Sequence, residues 1–400
     1  MSFDFTSVLD RRGHDAIAFD GIGAASGAPM APDAGFDPIP MWVADMCFPV
    51  APCITRAISE RLEHPAFGYF SPRPEYFNAI VDWHRHRHGI DDLKFRCIGY
   101  ENGVLGGLIS TVTAFAAPGD AVLVHSPTYI GFTKSLENAG FRIELSPLIL
   151  DEKGVYRMDY EDMDRRLSAS RAHVAVFCSP HNPTGRVWER WEIERALEVY
   201  AAHECVVVSD EIWSDIVRPD AVHVPVQSVS EDARRRTVAL YALSKTFNLA
   251  GLVGSYHVIY DDYLRDRVRA QASKSHYNAM NVLSMHVLIG AYSDEGETWV
   301  NELNEVIAGN TERAVAFFAE RAPGVSTRVP EGTYMLWLDA AGWCREQGCD
   351  VGELLRAGWR VGVGWQDGRP FHGESHIRMN LALPRTRLDE ALDRLAKHVF

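Results

Sequence analysis

Residues 205–213 read CVVVSDEIW and residues 237–251 read TVALYALSKTFNLAG. Each opens on an uninterrupted apolar run of strand length and closes on a residue able to do chemistry, Asp210 in the first and Lys245 in the second. An apolar run without alternation marks a strand buried on both faces. Outward from these two stretches the same pattern repeats. Strands are predicted over 121–124 and 173–178, followed by the polar turns SPTY (126–129) and SPHNPTG (179–185). Helical stretches over 51–62, 75–88, 103–115, 160–167 and 191–202 lie around and between them. Short buried strands alternating with helices predict an α/β fold with a mostly parallel sheet covered on both faces. Ligands of such sheets bind beyond the carboxyl ends of the strands. One carboxylate (Asp210), one amine (Lys245), one amide (Asn182) and one aromatic (Tyr129) are therefore expected to converge there.

After about residue 279 the pattern changes. Helices over 282–292 and 299–320 precede strands over 334–338, 360–363 and 376–380, and a last helix over 388–399. The expected organisation is an N-terminal segment (1–48) packing with the small domain, a large domain (49–285) and a smaller α+β domain (286–400).

The chain has 400 residues, 46% of them hydrophobic and 24% charged, as in ordinary globular proteins. A net charge of −14 argues against a nucleic-acid partner. No window is long and apolar enough to span a membrane, and the first residues carry acids where a signal peptide would be apolar. Seven scattered cysteines without a C-x-x-C pair predict reduced thiols in a cytoplasmic protein. His84, His86 and His88 at i, i+2 spacing spread around a helix, so they read as a solvated helix end and not a metal site. No metal is expected.

The converging set suits pyridoxal 5'-phosphate (PLP). A lysine amine condenses with its aldehyde. A buried carboxylate keeps the pyridine nitrogen protonated, an amide donates to the ring oxygen, and an aromatic stacks on the ring. A helix starting at Gly103 offers backbone N–H groups to the phosphate.

At Asn182-Pro-Thr-Gly185, Asp210-Glu-Ile212 and SKTFNLAG (244–251) the chain resembles the aspartate-aminotransferase superfamily of PLP enzymes, fold type I. FDFTSVLDRRG near the start, PMWVADMCFPVAPCITRAI (40–58), FGYFSP (67–72), EGTYMLWLD (331–339) and IRMNLALPR (377–385) resemble its MalY/PatB branch, the cystathionine β-lyases and cysteine C–S lyases. The match runs in order over nearly the whole chain. It implies a seven-stranded, mostly parallel sheet and a homodimer with shared sites. It implies Lys245 as the Schiff-base lysine and α-proton base, with Asp210 on the pyridine nitrogen, Asn182 on the ring oxygen and Tyr129 stacked on the ring. Gly103 and Val104 fall to the phosphate, Ser244 to the cofactor, and Tyr69 is lent by the neighbouring subunit to the phosphate and substrate. Arg378 becomes the α-carboxylate clamp, with Trp42, Trp213 and Tyr334 around the substrate.

Four positions depart from the pattern. Ala242 and Val253 replace a serine and an arginine that bind phosphate in many relatives, and Val253 favours a lyase over a transaminase. Trp213 stands where aminotransferases have tyrosine and lyases histidine, and Cys47 where an aspartate is usual. Both remove polarity. The expected activity is C–S β-elimination from cystathionine or another cysteine S-conjugate. The rivals are transamination, decarboxylating oxidative deamination, and a non-catalytic regulatory PLP-binding role.

Overall fold

The computed structural model describes residues 2–274 and 276–400. Its main sheet has seven strands: β1 (Ile98–Asn102), β2 (Ala121–Ser126), β3 (Arg142–Pro147), β4 (Val174–Cys178), β5 (Val206–Asp210), β6 (Thr237–Ala242) and β7 (Gly254–Val258). The spatial order is β1-β7-β6-β5-β4-β2-β3. β7 is antiparallel to both neighbours, and the pairings among β2 to β6 are parallel. The mostly parallel α/β expectation holds. Every residue of β4 and β6 is buried, as their continuous aliphatic runs require.

Alternate residues of these strands feed two cores. Val122, Val124, Val208 and Leu240 pack with Leu108 and Val112 of the helix Val104–Phe115. Leu123, Phe177 and Val207 pack with Met163 and Leu167 of Tyr160–Ser170 and with Ile193 and Leu197 of Arg190–Ala202. The period-2 alternation of a strand produces this split.

A second, antiparallel sheet joins Ser326–Thr327, Met335–Asp339, His376–Asn380 and Gln366–Asp367. The helices Val351–Arg360 and Arg385–His398 and the end of the 28-residue helix Asp294–Arg321 cover it. Ile39–Pro40 pairs in parallel with Val363–Gly364, tying the N-terminal segment to this unit.

Two local expectations change. The strand expected over 360–363 shrinks to Val363–Gly364, because a helix with an Asp350–Glu353 capping box occupies Val351–Arg360. The histidine-rich helix end is not simply solvated. His84 is 2% exposed and the His88 side chain 3%, and only His86 faces water. His84 bonds Tyr256 Oη through Nε2 (3.1 Å), and His88 Nε2 lies 3.5 Å from Asp215. Burial pushes both imidazoles well below their ordinary range.

Candidate active site

Asp210 is the last residue of β5, and in register it pairs with Cys178 on β4 and Leu240 on β6. The turn after β4 carries Asn182, and the four-residue helix after β6, Leu243–Thr246, carries Lys245. Three neighbouring parallel strands thus deliver carboxylate, amide and amine to one edge. Tyr129 caps the helix Ile130–Asn138 after β2, and Gly103 caps Val104–Phe115 after β1. Gly103 has φ +85°, a left-handed conformation that glycine adopts without strain.

Arg378 approaches from the small sheet, opposite Trp337 and Gln366 in register. Its guanidinium is buried with only neutral acceptors. Nη1 donates to Asn182 Oδ1 (3.1 Å), and Nη2 to the Trp42 carbonyl (3.0 Å) and to Gln366 Oε1. Phe371 lies 4.4 Å below it. Nε is buried without a partner. Desolvation lowers the Arg378 pKa to about 10. A buried cation surrounded by neutral acceptors, with a donor to spare, is a receptor for an anion.

Asp210 is the complementary case. It is 4% exposed, and its Oδ1 accepts the Ile212 N–H (3.0 Å). Burial raises it to about 7. Lys245 does not pair with it. Its Nζ donates to the Ala44 carbonyl (2.8 Å), and the Trp213 ring centroid is 5.6 Å away. Burial, with Arg378 adding to it, lowers the amine to about 8. Trp213 meets Tyr334 edge-on at 4.6 Å, and the Tyr334 hydroxyl also donates to the Ala44 carbonyl (3.0 Å).

The backbone of residues 42–47, inside the 40–58 motif, emerges as a strap whose peptide groups sequence reasoning gives no role. Arg378 bonds the carbonyl of Trp42, Asn380 those of Val43 and Asp45, and Lys245 and Tyr334 that of Ala44. Asn248 clasps both the N–H and the carbonyl of Met46 at 3.0 Å. Arg11 adds a bond to Met46 and an ion pair to Asp45 (2.7 Å). Backbone acceptors leave no trace in residue identity. The two asparagines were the available signal, since Asn248 sits in SKTFN and takes a left-handed conformation.

Lys245, Asp210, Asn182, Arg378, Trp42, Trp213 and Tyr334 therefore share one connected site. Gly103 and Val104 begin the helix after β1, and Ser244 adjoins Lys245. Cys47 instead packs against the small-sheet core, and desolvation pushes its thiol up to about 11. Tyr69 is fully exposed beside exposed Phe67 and Phe70, outside the site of its own chain. Among the described residues no cluster of histidine, cysteine, aspartate and glutamate could hold a metal.

PLP fits this arrangement. Asp210 is a buried carboxylate lacking a cation in contact, Lys245 a half-buried amine with a depressed pKa, and Asn182 a buried amide whose oxygen is already taken by Arg378, leaving its N–H₂ to donate. The comparisons agree. Cystathionine β-lyase PatB of Bacillus subtilis is 33% identical over 99% of both chains. Cystalysin from Treponema denticola, whose crystal structure contains pyridoxal 5'-phosphate, aligns with a TM-score of 0.90 at 26% identity over 99% of this chain and 98% of that one. The PLP-bound C–S lyase of Staphylococcus hominis gives 0.88 at 27% identity, with the same coverage. Residues 37–395 match the family described as aminotransferase class I and II, and to that family this chain belongs.

Proposed function

We propose that the protein is a PLP-dependent C–S β-lyase acting on cysteine S-conjugates. The observation that carries this reading is a lysine of lowered pKa that has as charge neighbours a buried guanidinium with an unpartnered donor, Arg378, and a buried carboxylate without a cation in contact, Asp210. Lys245 would hold the cofactor aldehyde, Asp210 its ring nitrogen, Asn182 its ring oxygen and Tyr129 its ring face. The helix start at Gly103 and Val104, with Ser244, would hold its phosphate. The bound cofactor supplies an electron sink for the pair left when the α-proton departs.

The chain's own groups do the rest. Arg378 takes the substrate α-carboxylate through its unpartnered Nε hydrogen. Lys245, freed as the substrate amine replaces it, removes the α-proton, and the Ala44 carbonyl accepts from the resulting ammonium. The electron pair of the Cα–H bond forms Cα=Cβ as Cβ–S breaks, and the sulfur leaves as thiolate with the bonding pair. The released enamine hydrolyses to pyruvate and ammonia. Trp213 and Tyr334 wall the amine from water, which strengthens every charge interaction inside.

Tyr69 reaches no site in its own chain, which favours a homodimer in which it serves the partner's. The seven free thiols favour the reducing cytoplasm.

The test is product analysis by mass spectrometry after mixing the PLP-loaded protein with cystathionine and a panel of S-alkyl cysteines. Pyruvate with free thiol is expected. A keto acid or aldehyde with its C–S bond intact would overturn elimination in favour of transamination or decarboxylating deamination.

A further inference from the structure

Behind Asp210 lies a second carboxylate that none of the steps above uses. Glu211 is wholly buried and is held by four donors. Ser209 Oγ (3.0 Å) and the Val226 N–H (3.2 Å) reach Oε1, and Tyr241 Oη (2.8 Å) and His223 Nε2 (2.9 Å) reach Oε2. The other nitrogen of His223, Nδ1, is buried without a partner, and the nearest titratable ring is His88 at 5.6 Å. An imidazolium would bury an N–H with no acceptor, whereas a neutral ring needs only the Nε2–H that it gives to Glu211. His223 is therefore a neutral donor, and it leaves the negative charge of Glu211 uncancelled.

We propose that Glu211 is a positioning residue of electrostatic kind: a caged anion, one residue behind Asp210, that strengthens Asp210 as the base holding the proton of the cofactor ring nitrogen. Two carboxylates on adjacent residues in a desolvated strand end repel, and proton sharing with a pyridine nitrogen relieves the repulsion. Glu211 accordingly adds to the upward push that burial gives Asp210. The four donors keep the carboxylate in place without neutralising it. This inference rests on the PLP reading above.

The experiment is solution ¹⁵N NMR of the ring nitrogen in protein loaded with ring-¹⁵N PLP, together with the PLP dissociation constant. Glu211→Gln keeps the shape and removes the charge. It is expected to move the resonance toward unprotonated pyridine and to weaken PLP binding on the order of tenfold, the scale of one near charge at an effective dielectric of about 20. Glu211→Asp is expected to keep the protonated signal, and His223→Gln, which retains an N–H donor, to match wild type. If Glu211→Gln does not fold, Tyr241→Phe removes one of the four donors and leaves the charge less compensated, so the resonance is expected to stay at or beyond the wild-type protonated position, and a move toward unprotonated pyridine overturns the proposal. A Glu211→Gln resonance equal to wild type overturns the proposal. So does a larger shift in His223→Gln than in Glu211→Gln, which would make the imidazole the charged member. A wild-type protein that takes up no PLP removes the cofactor reading itself, a result distinct from either.

Discussion

Replacing Arg378 by lysine keeps the positive charge and removes the fork. The native guanidinium spreads its donors over Asn182 Oδ1, the Trp42 carbonyl and Gln366 Oε1, and Nε is left over. A lysine ammonium has three donors on one atom and a shorter planar reach, so it cannot serve these acceptors and an incoming carboxylate together. One charge-assisted hydrogen bond to substrate is lost, worth about 1.5–3 kcal/mol, and one buried acceptor is left open at about 1–3 kcal/mol. The open acceptor is present in free and substrate-bound enzyme alike, so only the lost bond enters kcat/KM, which falls about 10–10²-fold. The α-carboxylate is bound alike before and during elimination, so most of the loss belongs in KM. The same substitution frees the Asn182 oxygen, so PLP binding weakens too. Steady-state kinetics with the best S-conjugate and a PLP titration check both effects. A variant within threefold of wild type in KM, or one losing only kcat, would refute the carboxylate clamp.

Lys245→Ala is expected to lose the visible absorption band of bound cofactor and at least about 10²–10⁴-fold in turnover, from lost proton transfer alone; an active variant would contradict its role. In cofactor-stripped protein, trace acetylation of Lys245 should rise with pH through a midpoint near 8, because only the neutral amine reacts and burial favours it. A midpoint near 10 would show a solvated lysine. Trp213→Leu removes a ring that favours the ammonium form by about 0.5–1 kcal/mol, so that midpoint should fall by less than one pH unit; a rise would contradict the contact. Trp299→Ala removes a side chain stacked on Phe247 (5.7 Å) and packed on Phe5 (5.4 Å). It should cost about 3–5 kcal/mol in chemical denaturation, and a loss under about 1 kcal/mol would show that the site collapses around the gap.

The central strands were readable because burial on both faces leaves nearly continuous apolar residues, as in VAVFC and TVALYA. The outer strands were not. β1 (IGYEN) and β3 (RIELSP) interleave polar residues, from buried Glu101 and Ser146 to exposed Asn102 and Arg142. β7 (GSYHV) holds His257 and Ser255, which look foreign to a core until His257 Nδ1 is seen on Glu101 (2.6 Å) and Ser255 Oγ on the Glu101 carbonyl (2.9 Å). The histidine run misled through the choice of spacing. Read as i, i+2 it spreads around the helix, yet His84 and His88 are i, i+4 and share its buried face. At the site, Lys245, Asp210 and Asn182 were legible from strand ends alone. Ala44, whose contribution is a carbonyl, was not. Tyr69 is exposed in its own chain, so its expected role rests on the FGYFSP resemblance and not on any strand end.

The strap at residues 42–47 has an evolutionary corollary. Its contacts to Lys245, Arg378, Tyr334, Asn248 and Asn380 run through peptide groups, which amino-acid replacement does not remove. The frame around the reacting amine is thereby insulated from drift in the side chains that decorate it. Position 47 can hold a cysteine packed on the small-sheet core and leave the scaffold of the reaction intact.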